Sequence, residues 1–246
     1  MRLLHELIAS LDLENPTFRP TEIFNESWLV KLVVHQASSM RDQDFPLGFF
    51  ANSKWFSEAL LPTPFRARYR GDPLAESRTN ADIVIGHFLV GERGKADIEL
   101  ADEPCQFTVI EAKIAAPLSK DTTRAKSYDQ AARTVACMAE ATARADVSPS
   151  ALERLDFIVL APRQSIESGT FAHQMRKDSI RSKVQRRVSE YAGALDAWYV
   201  DHFEPTLDHI DLQCISWEEA IEWIGRERYE TSTELQKFYE FCLQFS

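Results

Sequence analysis

Apolar and polar residues follow two kinds of periodicity along this chain, and each predicts its own type of element. Where apolar residues recur every three or four positions, the pattern indicates an amphipathic helix. Helices are predicted, in chain order, at 3–11, 21–38, 53–61, 123–144, 176–198, 217–224 and 231–243.

Strict alternation or a short apolar run predicts strands. These segments lie at 65–70, 81–90, 106–114 and 155–162, where the last run is ended by Pro162. Strands joined by a helical crossover imply an α/β or α+β sheet with helices on its faces. No repeat or linker divides the chain, so a single domain over 1–246 is expected, with a core at about 21–162 and a helical extension at about 170–246.

The bulk composition restricts the class of protein. No apolar run approaches the roughly 18 residues of a membrane helix, and the first residues contain acids and no small-residue cleavage site. The four cysteines stand far apart, which favours reduced thiols in a cytoplasmic protein. A net charge of -10 argues against a protein coated in positive charge, although it allows a local basic groove.

Charged residues at the end of one predicted strand need a physical explanation. Side chains alternate along a strand, so Glu111 and Lys113 of FTVIEAKI share a face with apolar Phe107 and Val109. Asp82 begins the preceding strand. If the two strands pair antiparallel, Asp82 and Glu111 converge, and their repulsion calls for a cation such as Mg²⁺, which prefers oxygen ligands.

Lys113 adds a positive charge to the same face. Its ammonium group can position or activate a water molecule and bind a substrate phosphate. A metal ion would neutralise charge on the phosphoryl oxygens and help to deliver hydroxide. Together these groups suit the hydrolysis of a phosphodiester bond.

The segments TNADIVIG, VIEAKI and SYDQAAR, taken in this order, resemble the PD-(D/E)xK nuclease superfamily, also called restriction-endonuclease-like. The resemblance covers roughly 21–162. It implies a mixed central β-sheet flanked by helices. Two departures stand out: Ala81 replaces the proline of the motif, and the connection 91–105 is long and acidic, so that it can carry an extra hairpin near the site.

The resemblance also assigns roles to residues of this chain. It implies that Asp82, Glu111 and the carbonyl of Ala112 are ligands of Mg²⁺, for which Mn²⁺ can substitute. Lys113 would be the catalytic lysine, and Gln130 the glutamine of the following helix.

An upstream acid is implied as well, with Glu26 as the first candidate and Glu22 in reserve. Taken singly, Asp82, Glu111 and Lys113 favour structural roles, and for Glu26 both roles stay open. Asp82 can cap a turn, the charged pair at 111 and 113 can be an exposed ion pair, and Glu26 can be a surface acid.

Basic residues supply candidate contacts to nucleic acid. The segment 176–187 holds six basic residues and one acid. Its phosphate-binding candidates are Arg181, Lys183, Arg186 and Arg187. Lys126 and Arg133 share a helix face with Gln130 and are predicted to face the substrate backbone. The alternative for each group is a solvated helix face.

The expected function is therefore a Mg²⁺-dependent nuclease that acts on nucleic acid, with DNA favoured, in a restriction, defence or repair context. The alternative is a catalytically weak or inactive nuclease-fold module that binds nucleic acid or assembles with proteins. A homodimer or a larger complex stays open. The segment 201–211, with two Asp-His steps, is predicted to be a surface loop rather than a second metal site.

Overall fold

The computed structural model describes residues 19–76, 79–91, 94–121, 125–126 and 128–246. Within these residues the chain forms seven strands: β1 (Lys54–Leu61), β2 (Thr79–Gly86), β3 (Phe88–Val90), β4 (Ile98–Leu100), β5 (Gln106–Ala112), β6 (Arg154–Ala161) and β7 (Asp211–Ser216). The described helices are α1 (Glu26–Ala37), α2 (Gln130–Arg144), α3 (Arg163–Glu167), α4 (Lys177–Ser189), α5 (Asp196–Trp198), α6 (Glu204–His209), α7 (Trp217–Gly225) and α8 (Tyr229–Phe245). A π-helical stretch, Tyr199–Phe203, joins α5 to α6, and 3₁₀ turns lie at Pro20–Glu22 and Pro149–Ala151.

Five of the described strands form one mixed sheet in the order β1-β2-β5-β6-β7. The β1–β2 and β2–β5 pairs are antiparallel, whereas β5, β6 and β7 run parallel. Parallel neighbours need a crossover connection, which α2 supplies between β5 and β6. The expectation of a mixed α/β sheet flanked by helices is thus confirmed.

The core lies on both faces of this sheet. On one face, Phe107, Val109 and Phe157 pack against α2 and α4; on the other, Ile110 and Ile158 pack against α1, α7 and α8. Because both faces are covered, β5 and β6 are buried along nearly their whole length.

Side-chain caps fix the beginnings of three helices. Asn25 accepts a hydrogen bond from the Trp28 N–H at the start of α1, and Ser216 accepts one from the Glu219 N–H at the start of α7. Asp129 does the same for α2. A short polar side chain at this position satisfies one of the unpaired backbone donors of the first turn. This cap starts α2 at residue 130 rather than at the predicted 123.

Two predicted elements are wrong. The segment 53–61 was predicted to be a helix, but its residues 54–61 form strand β1. The apolar residues of this segment suit either periodicity, so pairing with β2 decides its conformation. Residues 65–70, predicted to be a strand, form a loop. Its alternating arginines are used in ion pairs, Arg66 with Glu140 at 2.6 Å and Arg68 with Asp72 at 2.8 Å.

Other boundaries differ from the predicted ones. The segment 81–90 divides between β2 and β3, which belong to separate sheets. Strand β3 forms a hairpin with β4, which lies in the acidic connection. The helix predicted at 176–198 ends at Ser189, because Ala192 and Gly193 have left-handed backbone conformations with φ of 51° and 88°. Strand β7 was not predicted. The helix predicted at 3–11 lies outside the described residues.

None of the helices in the described residues is both long enough and apolar enough to cross a membrane. The most apolar helices, α1 and α7, lie against the sheet instead. Each of them places its buried residues on the side that faces β5 and β6.

Candidate functional site

The antiparallel pairing of β2 with β5 brings two acidic side chains together. Ile83 lies opposite Ile110, and the same register places Asp82 opposite Glu111. The Asp82 Oδ2 atom accepts a hydrogen bond of 2.7 Å from the Ala112 N–H. The carboxyl groups of Asp82 and Glu111 are close enough for the charge of Asp82 to act on the pKa of Glu111. The convergence expected from the sequence is therefore present.

Glu111 is the most enclosed member of the site, with only 2% of the residue exposed. Its Oε2 atom accepts a 2.6 Å hydrogen bond from the Gln130 Nε2 and lies 3.7 Å from the Lys113 Nζ. Burial, followed by the charge of Asp82, raises the pKa of Glu111 to about 8. Burial also raises the pKa of Asp82, against the effects of the Ala112 N–H and of Lys113.

Burial disfavours the charged form of both carboxyl groups, and the charge of Asp82 adds to this effect on Glu111. Two carboxylates in an enclosed space repel each other, so one of them retains a proton unless another positive charge takes its place. Lys113 compensates part of this charge at a distance longer than a hydrogen bond. The pair is thus suited to exchange a proton for a cation.

Backbone contacts hold Lys113 at the end of β5. Its N–H donates to the Leu160 carbonyl at 2.8 Å, which continues the pairing with β6. Its carbonyl accepts a 2.9 Å hydrogen bond from the indole Nε1 of Trp217, a fully buried side chain at the start of α7. The Lys113 side chain is only 12% exposed, so its ammonium group stays close to Glu111.

Gln130, the first residue of α2, is oriented by a second partner. The Ser119 N–H donates to its Oε1 atom at 3.3 Å, and its own N–H donates to the Ser119 carbonyl at 3.0 Å. With Oε1 engaged as an acceptor, the Nε2 group is left to donate to Glu111. Gln130 was predicted from the sequence, whereas Ser119 was not, because it lies in a loop without periodicity.

A cleft of about 200 Å³ opens beside Glu111. Its lining consists of Thr79, Asn80, Glu111, Ser119, Asp121, Gln130, Arg133 and Thr134. The guanidinium of Arg133 donates to the Thr79 Oγ1 at 2.8 Å, and its charge acts on Glu111. The predicted contact of Arg133 with a substrate backbone stays a prediction, and its position in the cleft is compatible with it.

The two candidates for the upstream acid occupy different positions. Glu26, at the start of α1, accepts a 3.2 Å hydrogen bond from the Ile114 N–H, just beyond β5. It lines a groove with Phe24 and Phe245 that is separate from the cleft. Glu22 is exposed and accepts a hydrogen bond from the Arg19 N–H at 3.4 Å. Of the two, Glu26 is the acid that contacts the β5 chain.

A divalent cation needs several oxygen donors that meet at one point. Among the described residues, no group of three or more His, Cys, Asp or Glu side chains converges on one point. The side-chain oxygens of the site are those of Asp82 and Glu111. Mg²⁺ commonly binds through one or two carboxylates and completes its shell with water and phosphate oxygens, so this set fits it. A ligand role for the Ala112 carbonyl stays a prediction.

Arg187 is not available to a nucleic acid. It is 1% exposed, contacts the Leu74 carbonyl and Glu190, and lies 5.2 Å from the centre of the Phe65 ring. Its predicted phosphate contact is therefore wrong. Its long side chain reaches from α4 into the core, where it shares the Leu74 carbonyl with the Tyr191 hydroxyl.

The other basic residues of α4 differ in availability. Arg181 forms ion pairs of 2.8 Å with both Glu204 and Asp208, and Lys183 forms one of 2.6 Å with Asp129. Glu204 and Asp208 compensate the charge of Arg181, and Asp129, which caps α2, compensates that of Lys183. These two basic residues of α4 therefore do not form the free basic face predicted from the sequence. Arg186 on α4 and Lys126 before α2 are exposed.

Comparisons with known proteins return no relative. The chain matches no protein-family model, and no curated protein or solved structure is detectably similar to it. The chemical character of the site consequently rests on two facing carboxylates, one enclosed lysine and one oriented glutamine amide.

Proposed function

We propose that this chain is a Mg²⁺-dependent nuclease that hydrolyses phosphodiester bonds, with DNA as the favoured substrate. The observation that carries the proposal is the contact of Glu111 with Asp82, Lys113 and Gln130 at one end of the paired strands β2 and β5. The same three segments supply the resemblance to PD-(D/E)xK nucleases, and a mixed sheet flanked by helices is compatible with a restriction-endonuclease-like core.

Each residue has a distinct task in the proposed reaction. Asp82 and Glu111 would hold Mg²⁺, which supplies charge neutralisation at the phosphate and lowers the pKa of water. Lys113 orients the attacking water and balances charge that develops on the phosphoryl oxygens. Gln130 keeps Glu111 in one orientation, and Arg133 in the cleft contacts the substrate backbone.

A cleavage assay with matched lysine variants tests the proposal. Purified protein is incubated with plasmid, linear and single-stranded DNA, and with RNA, in Mg²⁺ or Mn²⁺. Lys113→Met is expected to reduce the cleavage rate at least 100-fold, a magnitude on the order of that for the loss of a general acid–base group. Lys237→Met, which changes an exposed lysine on α8, is the control and should cleave like the wild type.

Equal cleavage by Lys113→Met and the wild type would contradict the assignment of this lysine. The RNA arm decides the type of nucleic acid, since the site residues themselves do not distinguish the two backbones.

The compensated basic residues of α4 favour one alternative, a nuclease-fold module that binds or assembles without efficient catalysis. Metal titration separates the two. A nuclease should show a Mg²⁺- or Mn²⁺-dependent heat of binding that disappears in Asp82→Ala, whereas a pure binding module should show none.

A further inference from the structure

A loop with three arginines and one tyrosine connects β1 to β2 at the edge of the sheet where the proposed site lies. Strand β1 ends at Leu61, which pairs with Thr79, the first residue of β2. Thr79 lines the cleft together with Glu111. The segment 66–72 of this connection is called here the arginine–tyrosine loop, and all of its residues except the last are exposed. The connection that carries this loop therefore begins and ends beside the cleft.

A buried acid holds the arginine–tyrosine loop in one conformation. Asp72, which is 1% exposed, accepts hydrogen bonds from the Arg68 N–H at 3.1 Å and from the Arg68 Nε at 2.8 Å. It also accepts one of 3.0 Å from the Leu74 N–H. Gly71 allows the chain to turn back towards this acid, with a left-handed φ of 84°. The loop is thus ordered by its own contacts, which lowers the entropy cost of binding a ligand.

Tyr69 is the exposed end of a series of aromatic rings that alternate with guanidinium groups. The Arg68 guanidinium lies 5.9 Å from the centre of the Tyr69 ring and 4.6 Å from that of Tyr191. Arg187 lies 5.5 Å from the centre of the Tyr191 ring and 5.2 Å from that of Phe65. These are distances at which a cation and a ring attract each other. The other two rings and Arg187 are buried, whereas Tyr69 is 59% exposed. Its ring is therefore supported by Arg68 and remains accessible to a ligand.

The buried end of this series contacts the segment that leads to the site. The Phe65 ring packs edge-on against Tyr128, with 5.5 Å between the ring centres. Tyr128 is 2% exposed and directly precedes Asp129, the cap of α2. The next residue is Gln130, which donates to Glu111. The arginine–tyrosine loop is consequently fixed relative to the start of the helix that orients the site.

Arg70 supplies an exposed positive charge next to the Tyr69 ring. Arg66 is compensated by Glu140 and Arg68 by the buried acid of the loop. Arg70 is exposed and forms no ion pair with a residue that the structure describes. An accessible ring beside a cation is the combination that binds single-stranded nucleic acids, in which bases stack on aromatic side chains and phosphates meet basic ones. In a duplex the bases are stacked on each other, so only unpaired bases can use the ring.

We propose that the arginine–tyrosine loop binds a single-stranded segment of nucleic acid beside the cleft, with Tyr69 stacked on a base and Arg70 in contact with a phosphate. The proposal rests on the proposed nuclease function and deepens it, because it names unpaired strands as the substrate class. The sequence did not reveal this surface, since the strand predicted at 65–70 would have turned the tyrosine and the arginines to opposite faces.

Fluorescence anisotropy of the full chain with labelled oligo(dT), and with a duplex of the same length, tests the role of the ring. A chelator keeps cleavage out of the measurement. The wild type should bind the single strand more tightly than the duplex. Tyr69→Ala is expected to weaken binding of the single strand roughly 5- to 100-fold and to leave binding of the duplex unchanged. Tyr69→Phe retains the ring and should bind both like the wild type.

The phosphate contact has a different signature. Arg70→Ser should weaken binding of the single strand and of the duplex alike, and the slope of log K against log salt concentration should become shallower by about 0.7 for the single strand. Tyr229→Ala and Arg226→Ser change exposed residues near the end of α7 that is remote from Lys113, and these controls should bind like the wild type. Equal urea midpoints for all variants verify that the fold is intact.

Two results would overturn the inference. If Tyr69→Ala and Arg70→Ser bind oligo(dT) like the wild type, the loop is not the binding surface, whatever the cleavage assay shows. If Tyr69→Ala loses as much affinity for the duplex as for the single strand, the ring does not select unpaired bases. If instead both variants lose binding as expected while the wild type cleaves no nucleic acid in Mg²⁺ or Mn²⁺, the loop is a binding surface and the proposed nuclease fails.

Discussion

At the scale of single residues, Glu111 is central to the proposed site, yet its burial as a charged group lowers the stability of the fold. A carboxylate that is almost completely buried next to another acid is unfavourable when ionised. The hydrogen bond from Gln130 and the nearby Lys113 ammonium offset only part of this cost. The uncompensated part appears as the raised pKa of Glu111, about 8. The residue is therefore more easily explained by cation binding than by stability.

The pH dependence of stability gives a direct test. The folded-state pKa of Glu111 lies above its ordinary value of 4.5, so the folded chain binds a proton more tightly than the unfolded chain. Its contribution is complete below about pH 4.5 and is lost as the pH rises through about 8. Without divalent cations, Glu111→Gln should remove this loss and be more stable than the wild type by roughly 1–3 kcal/mol at pH 8.5.

Urea unfolding of both proteins in a chelator, from pH 5 to pH 8.5, measures the difference. Glu234→Gln, on the exposed side of α8, is the control, and its stability difference from the wild type should not change with pH. If the difference in unfolding free energy between Glu111→Gln and the wild type is constant from pH 5 to pH 8.5, the pKa of Glu111 is not raised in the folded chain.

At the scale of elements, the start of α2 connects the site to the basic helix α4. Asp129 caps α2 with a 3.0 Å hydrogen bond from the Ala132 N–H and also forms the 2.6 Å ion pair with Lys183. The next residue is Gln130, whose amide holds Glu111. A single buried acid thus fixes the beginning of the helix and the orientation of a site residue.

Substitution of this cap should cost more than a cap alone. Asp129→Ala removes the helix cap and leaves Lys183 without its carboxylate, so the free energy of unfolding should fall by about 2–4 kcal/mol. Asp129→Asn retains a cap oxygen and should lose less. Ser216→Ala, which removes the cap of α7 from a site without an ion pair, should cost about 1 kcal/mol.

Urea unfolding at neutral pH measures all three variants. Equal losses for Asp129→Ala and Ser216→Ala would mean that the ion pair with Lys183 adds nothing to stability.

At the scale of the whole molecule, few of the basic side chains of α4 are free to contact a nucleic acid. The chain carries a net charge of -10, and in the described residues several cations of α4 are paired with acids or buried. Of the described cations, Arg133 lines the cleft, and the Lys113 Nζ lies 3.7 Å from the Glu111 carboxylate, which also lines it. A nucleic acid bound there would meet few phosphate contacts, against a background of overall repulsion.

This predicts a weak dependence of DNA affinity on salt. With two to four phosphate contacts, the slope of log K against log salt concentration should be about -2 to -4. Fluorescence anisotropy with labelled duplex DNA, measured from 50 to 200 mM salt for the Asp82→Ala protein, gives the slope without cleavage. A much steeper slope would reveal a basic surface that the described residues do not provide.

Several features were determined by sequence, because they depend on local pattern. The periodicities fixed the existence of α1, α2, α4, α7 and α8, and of the strands that contain Asp82 and Glu111. Alternation in a strand placed Glu111 and Lys113 on one face, and antiparallel pairing then brought Asp82 opposite. These predictions succeeded because side-chain direction in a regular element follows from spacing alone.

Tertiary structure decided the rest. Pairing with β2 made residues 54–61 a strand and gave Glu58 a left-handed backbone conformation with a φ of 54°, which no local pattern encodes. Packing placed Arg187 in the core and gave Arg181 and Lys183 their acidic partners, so a basic sequence did not become a basic surface. Whether a charge faces solvent, an ion or another side chain depends on neighbours distant in sequence, and these are defined only once the chain has folded.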